Sequence, residues 1–272
     1  MLSRIQMANI SRYFVTFKVP VQRDTLADRL AAACDVVERA FPGQKLCLAS
    51  SYKEPGTDIP VSDRRKYLAQ RARTKMHWFH LHNGKSVRGR GGGPMFDDGR
   101  VALGGRIHRH DLGLLSMTVD FPDAPWTFCE KLLVEIGDAS AASHAAVVPD
   151  GNEALRATQF DTSTAQPDPT LLERGIPRLT DFTYTGPAVP TQPMYLGWLN
   201  YWSAATCTFL GFPDEARHAA LTPHSYRTPA GAWLVKLTAE PLDTRRSDHI
   251  DVLATAYRAL PRLGLRPAPD NF

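Results

Sequence analysis

Three times along this chain an alternating apolar segment leads through a short linker into an amphipathic helical pattern. No other feature limits the fold as much. The first copy is Tyr13-Phe14-Val15-Thr16-Phe17-Lys18-Val19, whose period of two is that of a half-buried strand. Asp24 then suits a helix N-cap, and Leu26, Leu30, Ala33, Val37 and Phe41 follow at helical spacing towards about Ala40. The second copy is Leu115-Ser116-Met117-Thr118-Val119-Asp120-Phe121, then Pro125 in a first helical turn, with Phe128, Leu132 and Ile136 along one helix face. The third is Ala232-Trp233-Leu234-Val235-Lys236-Leu237-Thr238, then Ser247 as a cap and Ile250, Leu253, Ala254 and Tyr257 as the apolar stripe. Pro261 and Gly264 end that helix. Residue identities do not recur, so the likeness is one of pattern and not a sequence repeat.

Strands over Leu46–Ser51 and His144–Val148 are expected after the first two helices, giving β-α-β units. The predicted class is α+β, a mixed and mostly antiparallel sheet with amphipathic helices packed on it. Irregular strand spacing and the lack of a Gly-rich phosphate loop after any strand argue against a doubly wound parallel fold. Residues 84–100 read as a long, Gly-rich, basic loop. Residues 150–194 mix Pro, Thr, Asp and Gly over a length too great for a simple connection in a compact domain. One domain over 1–272 with 150–194 as an extended strap is expected, the alternative being two halves with a boundary near 160.

Hydrophobic residues make up 43% and charged residues 22% of the chain, as in soluble globular proteins. A net charge of +4 is too small for a nucleic-acid stripe, and it excludes an acidic mimic of DNA. The four cysteines, Cys34, Cys47, Cys129 and Cys207, form no CxxC pair and sit among apolar neighbours, so buried free thiols are expected. The segment from Met1 to Met7 lacks the apolar run of a signal peptide, and no apolar stretch has the length of a membrane span. A cytoplasmic protein is expected.

Candidates for chemistry are few. In His77-Trp78-Phe79-His80-Leu81-His82, a strand would put His80 and His82 on one face, and a helix His77 and His80. Together with His108-Arg109-His110-Asp111, these imidazoles and a carboxylate have the composition of a metal site. A metal-dependent enzyme acting on a phosphate ester would use His80, His82, His108, His110 and Asp111. Against it, Trp78, Phe79 and Leu81 resemble an ordinary buried strand, and no carboxylate lies near the first cluster in sequence. Solvated or backbone-bonded histidines are therefore favoured, with no metal, cofactor or catalytic residue. Arg88-Gly89-Arg90-Gly91-Gly92-Gly93-Pro94 lacks the GKS/T ending of a P-loop. As a single copy it also lacks the repetition of RNA-binding tracts. The run Arg64-Arg65-Lys66, Arg71, Arg73 and Lys75 reads as a solvated helix face, and no GxSxG elbow occurs.

The aromatic block Tyr195-Leu196-Gly197-Trp198-Leu199-Asn200-Tyr201-Trp202-Ser203 holds two of the chain's five tryptophans. Each buried Trp removes roughly 150–250 Å² from water, a gross stabilisation of about 4–6 kcal/mol at most. Read as a strand, Trp198, Asn200 and Trp202 share one face and Leu199 and Tyr201 the other. Read as a helix, the two tryptophans fall at i and i+4. In both cases they stay together, as a packed corner beneath Trp233.

This block, followed by Leu210-Gly211-Phe212-Pro213 and by Gly231-Ala232-Trp233-Leu234-Val235-Lys236-Leu237-Thr238-Ala239-Glu240-Pro241, resembles bacterial immunity proteins of polymorphic-toxin and type VI secretion systems. The immunity protein 52 group is the one it is similar to over residues 195–262. Members of that group accompany toxins of restriction-endonuclease-like fold. The resemblance implies structural roles for Gly197, Trp198, Leu199, Tyr201, Trp202, Trp233 and Pro241. It also implies neutralisation of a cognate toxin, a nuclease effector, by direct stoichiometric binding, with no catalysis, no membrane and no direct nucleic-acid contact. The loops 84–100, with Arg88, Arg90 and Arg100, and 150–194 are the candidates for a wedge that meets the toxin.

Overall fold

Each of the three strand–helix units forms, in a computed structural model that describes residues 13–51, 54, 57–73, 78–84, 87–88, 94–95, 101–107, 113–121, 125–149, 169–177 and 189–264. Along the chain run β1 (Tyr13–Pro20), α1 (Arg23–Ala40), β2 (Leu48–Ser50), β3 (Asp58–Pro60), α2 (Arg64–Arg73) and β4 (Trp78–His82). A two-stranded hairpin of β5 (Val87–Arg88) and β6 (Pro94–Met95) follows, then β7 (Ala102–Ile107), β8 (Leu114–Asp120), α3 (Trp126–Ser140) and β9 (His144–Pro149). The remainder is α4 (Pro169–Glu173), β10 (Leu199–Trp202), α5 (Ala204–Leu210), β11 (Tyr226–Arg227), β12 (Trp233–Lys236) and α6 (Ser247–Ala259).

Helix caps depart from expectation. Gln22, not Asp24, is the N-cap of α1, and Asp24 sits in the first turn, where its charge complements the helix dipole. Pro125 is itself the N-cap of α3, and Arg246, not Ser247, caps α6. None of the three makes a side-chain capping bond. Ser203 does: its hydroxyl accepts from the Thr206 amide at the start of α5, which ends at Gly211 with φ +70°, a left-handed cap that glycine adopts without strain.

Ten strands form one sheet in the order β11-β12-β10-β9-β1-β8-β7-β4-β2-β3. Every neighbouring pair is antiparallel, so the sheet is not mixed. The crossovers through α1 and α3 do join strands that run the same way, but those strands are never neighbours. β1 lies between β8 and β9, and three strands separate β1 from β2. Strand pairing also continues across residues 150–168, because β9 and β10 are hydrogen-bonded to each other.

The helices α1, α2 and α3 pack together against one face of this sheet. Val15, Phe17 and Val19 of β1, and Leu115, Met117 and Val119 of β8, are buried. They meet the stripe of Leu26, Leu30, Ala33 and Val37 on α1. Gly137 lets α3 settle directly on β10, since a Cβ there would stand 2.8 Å from the Tyr201 ring. Burial, and the hydrogen bond that Tyr201 donates to Asp138 at 2.8 Å, push the Tyr201 phenol upward.

The basic run is only partly a solvated face. Arg65, Lys66 and Arg73 are exposed on α2. Arg64 instead turns towards α1 and pairs with Asp35 at 2.8 Å and Glu38 at 2.5 Å. Despite the opposing effect of burial, the Glu38 carboxyl is held below its usual range by the Leu46 amide, Arg64 and Lys45. Burial pushes the thiols of Cys34, Cys129 and Cys207 up to about 12, whereas Cys47 is exposed because Leu46 and Ala49 are the residues turned inward there. Among the described residues, no helix is long and apolar enough to cross a membrane.

The aromatic block is core: Trp198 is 0% and Trp202 is 1% exposed. The two rings nevertheless enter separate clusters. Trp202 meets Phe212 at 5.2 Å, Phe212 meets Trp233 at 5.3 Å, and Trp202 and Trp233 are cross-strand partners. Trp198 packs edge-on against Trp126 of α3 at 5.9 Å, with the Lys236 ammonium over both rings. The separation begins where the Trp198 amide bonds the Val147 carbonyl, while Leu199 is also paired with Val147. Two residues thus oppose one, a β-bulge that breaks the alternation.

Gly197 lies so close to this point that a Cβ would meet the Val147 carbonyl oxygen at 2.5 Å. Backbone cannot swing aside as a side-chain end can. Gly197→Ala is therefore expected to cost about 1–3 kcal/mol, as overpacking does, read as a lower urea midpoint at unchanged slope.

Candidate functional site

Cross-strand register shows which residues share the face opposite the long helices. One row passes from Trp233 through Trp202, His144 and Lys18. It continues through Ser116 and Arg106 to Trp78. The next row runs from Thr16 through Thr118 and Gly104 to His80. Where β9, β10 and β12 carry the first row, Trp202 and His144 are buried, and Phe212, beyond α5, covers the tryptophans. Over β1, β8, β7 and β4 the same face carries exposed Thr118 and Arg106, with Thr16, Lys18, Ser116, Trp78 and His80 part-buried. Among the described residues this half is polar and carries Lys18 and Arg106. Lys18 Nζ donates to Ser116 Oγ at 2.5 Å.

At its β4 end lie two of the predicted metal ligands. His80 rests over Gly104, where a Cβ would stand 3.0 Å from its ring, and stacks with Trp78 at 6.2 Å and His82 at 5.4 Å. Its Nδ1 is 3.0 Å from Ser50 Oγ. His82, 1% exposed, accepts the Gly84 amide at Nδ1. Its proton is therefore on Nε2, which lies 3.1 Å from Asp58 Oδ1. A carboxylate does stand beside this cluster, then, contrary to the expectation from the sequence. It arrives through β3, which pairs Asp58 with Ser50.

Ser50 and His80 have the composition of a nucleophile and base, but Asp58, the carboxylate beside them among the described residues, is bonded to His82. His108, His110 and Asp111 lie outside the described residues, as do Arg90 and Arg100, while Arg88 belongs to β5. Among the described residues no three His, Cys, Asp or Glu side chains gather as metal ligands.

His144 lies on this face between Trp202 and Lys18. It is 7% exposed and its Nδ1 has no hydrogen-bond partner. Burial foremost, then the Lys18 charge, lower its pKa to about 3 against a small opposing pull from the Pro190 backbone. Lys18, Ser116, Arg106 and Thr118 were not singled out from the sequence. For Lys18 the signal was there, as the polar position of an alternating strand.

These features define a ten-stranded antiparallel α+β protein with helices on one face and a polar, part-exposed half on the other. Residues 26–268 match the model of the family described as Domain of unknown function (DUF5953), and the chain belongs to that family. Its fold is similar to that of the Pseudomonas aeruginosa T6SS protein PA0821, with a TM-score of 0.57 at 14% identity, covering 94% of this chain and 76% of that one. No curated protein matches this chain in sequence.

Proposed function

We propose that this protein is an immunity protein that waits in the cytoplasm and neutralises a secreted nuclease toxin by direct, stoichiometric binding. The carrying observation is the fold likeness to a T6SS protein over 94% of this chain. The immunity-like aromatic block lends support, built as it is into the core on both faces of β10. Inhibition of this kind needs a surface and no catalytic group. A stable complex would bury about 1,600 Å² in total.

Co-expression tests this. The gene adjoining this one is induced alone and then together with this chain. Growth arrest in the first case, growth in the second, and a complex of fixed stoichiometry on gel filtration are expected. A toxin that still kills in the presence of this chain overturns the proposal.

A further inference from the structure

We infer that the β11 edge of the sheet takes an extended segment of a partner protein as an added strand, one that alternates apolar and acidic residues. The two edges of the sheet differ. At β3, the Val61 amide donates to the Cys47 carbonyl and the Ser51 amide to the Thr57 carbonyl, so residues 57, 59 and 61 face β2. Asp58 and Pro60 then face outward, and a proline there withholds an amide, a common protection of sheet edges. At β11, the Thr228 amide donates to the Ala232 carbonyl at 2.7 Å. Antiparallel alternation turns Tyr226 towards β12 and leaves Arg227, opposite Trp233, with its N–H and C=O directed away from the sheet. No strand lies beyond β11 among the described residues. An added strand pairs both groups at once, which is how sheet edges recruit peptides.

Side chains on the two faces of this edge specify the segment. On the helix side, Tyr226 is 45% exposed and Trp126, at the start of α3, is 37% exposed. Lys236 lies between them: its ammonium is 4.6 Å from the Trp126 ring centroid and pairs with Glu130. Burial foremost, then the Glu130 charge, raises the Tyr226 phenol, which places the tyrosine beside that pair. The two charges neutralise each other, and the exposed rings are left for apolar side chains to cover. On the opposite face, Arg227 is exposed and has no carboxylate partner among the described residues. A carboxylate across from it completes a cross-strand pair. A second copy of this chain, pairing through its own β11, would instead set Arg227 against Arg227, a destabilising like-charge contact. Charge complementarity therefore selects a different chain, with an acidic residue flanked by apolar ones. That this chain is the toxin rests on the immunity reading, whereas the chemistry of the edge does not.

The test uses the full chain, a capped octapeptide of alternating valine and glutamate as probe, and hydrogen exchange of the backbone amides as readout. Saturating peptide should slow exchange at the Arg227 amide about tenfold or more and leave the Thr228 amide, already bonded, as it was. Arg227→Glu and Tyr226→Ser should each weaken peptide binding, the first by about fivefold or more. Arg39→Glu on α1, of equal charge change to the first, should bind as the parent does. Urea midpoints verify that all three variants fold. A peptide methylated on alternate backbone nitrogens, and one with lysine in place of glutamate, should bind weakly or not at all. The proposal is overturned if the unmodified peptide does not bind, if it binds without slowing Arg227, or if either altered peptide binds equally well. In the co-expression assay Arg227→Glu should lose protection and Arg39→Glu keep it, and full protection by Arg227→Glu would overturn the edge as the toxin's site. Failure of the parent chain to protect would sink the immunity reading alone, since the exchange experiment still decides the edge.

Discussion

Trp202→Ala is expected to remove about 3–5 kcal/mol of folding stability, the range for truncating a buried aromatic side chain. Three neighbours fix the ring and have no means of closing over its absence. Phe212 stands edge-on to it at 5.2 Å, Trp233 opposes it on β12, and His144 opposes it on β9. The void would lie under α5, whose Cys207 thiol bonds the Trp202 carbonyl, so the loss should reach the whole C-terminal cover of the sheet. Since total stability for a domain is about 5–15 kcal/mol, the variant should melt far below the parent and bind hydrophobic dye earlier in the transition. Trp233→Ala, at a part-buried position, should cost less. A loss below about 1 kcal/mol for Trp202→Ala would mean that this cluster is not the core of the C-terminal half.

Local pattern made much of the fold legible. β1, β8 and β12 alternate or carry dense apolar residues, and α1, α3 and α6 carry apolar stripes at 3.6-residue spacing, so their existence followed from period alone. Cap positions did not follow, because Gln22, Pro125 and Arg246 hold theirs through backbone geometry and without side-chain bonds. β7 was missed for an instructive reason. A glycine pair weakens a strand pattern, yet in mid-sheet Gly104 and Gly105 make room for rings on both faces. A Cβ on Gly105 would meet Phe79 at 2.6 Å, and one on Gly104 would meet His80 at 3.0 Å. The separation of Trp198 from Trp202 was equally hidden, since a bulge against Val147 depends on a strand far away in sequence.

The candidate site was less legible than the fold. His80 and His82 were visible as a same-face pair, and they do stack, but their partners Ser50 and Asp58 enter through two short strands. The row that joins Lys18 to Arg106 exists only through the register of β1, β8 and β7. Nothing local to either residue announces it. Sheet order is a non-local property, and the juxtaposition of Lys18 with Arg106 is a consequence of it.

Acid should unfold this protein through His144. An ordinary imidazole in the unfolded chain takes up its proton near pH 6.5, whereas folded His144 resists protonation down to about pH 3. Between those limits the unfolded state binds more protons, so stability is fully present above about pH 6.5 and declines as the pH falls towards 3. The slope from this group is roughly 1.4 kcal/mol per pH unit, enough over two units to rival a core truncation. His218 acts in the same direction. Its pKa is lowered by burial, and its Nδ1 accepts the Asp214 amide, a bond that protonation would break. Urea midpoints between pH 7.5 and 4.5 should therefore fall steadily in the parent and less steeply in His144→Gln. Identical pH profiles for the two would dismiss His144 as the cause. Lys18→Met gives a second control, because removing the nearby charge lets His144 protonate at a higher pH in the folded state. That narrows the window and reduces the total loss, an outcome specific to the charge on Lys18.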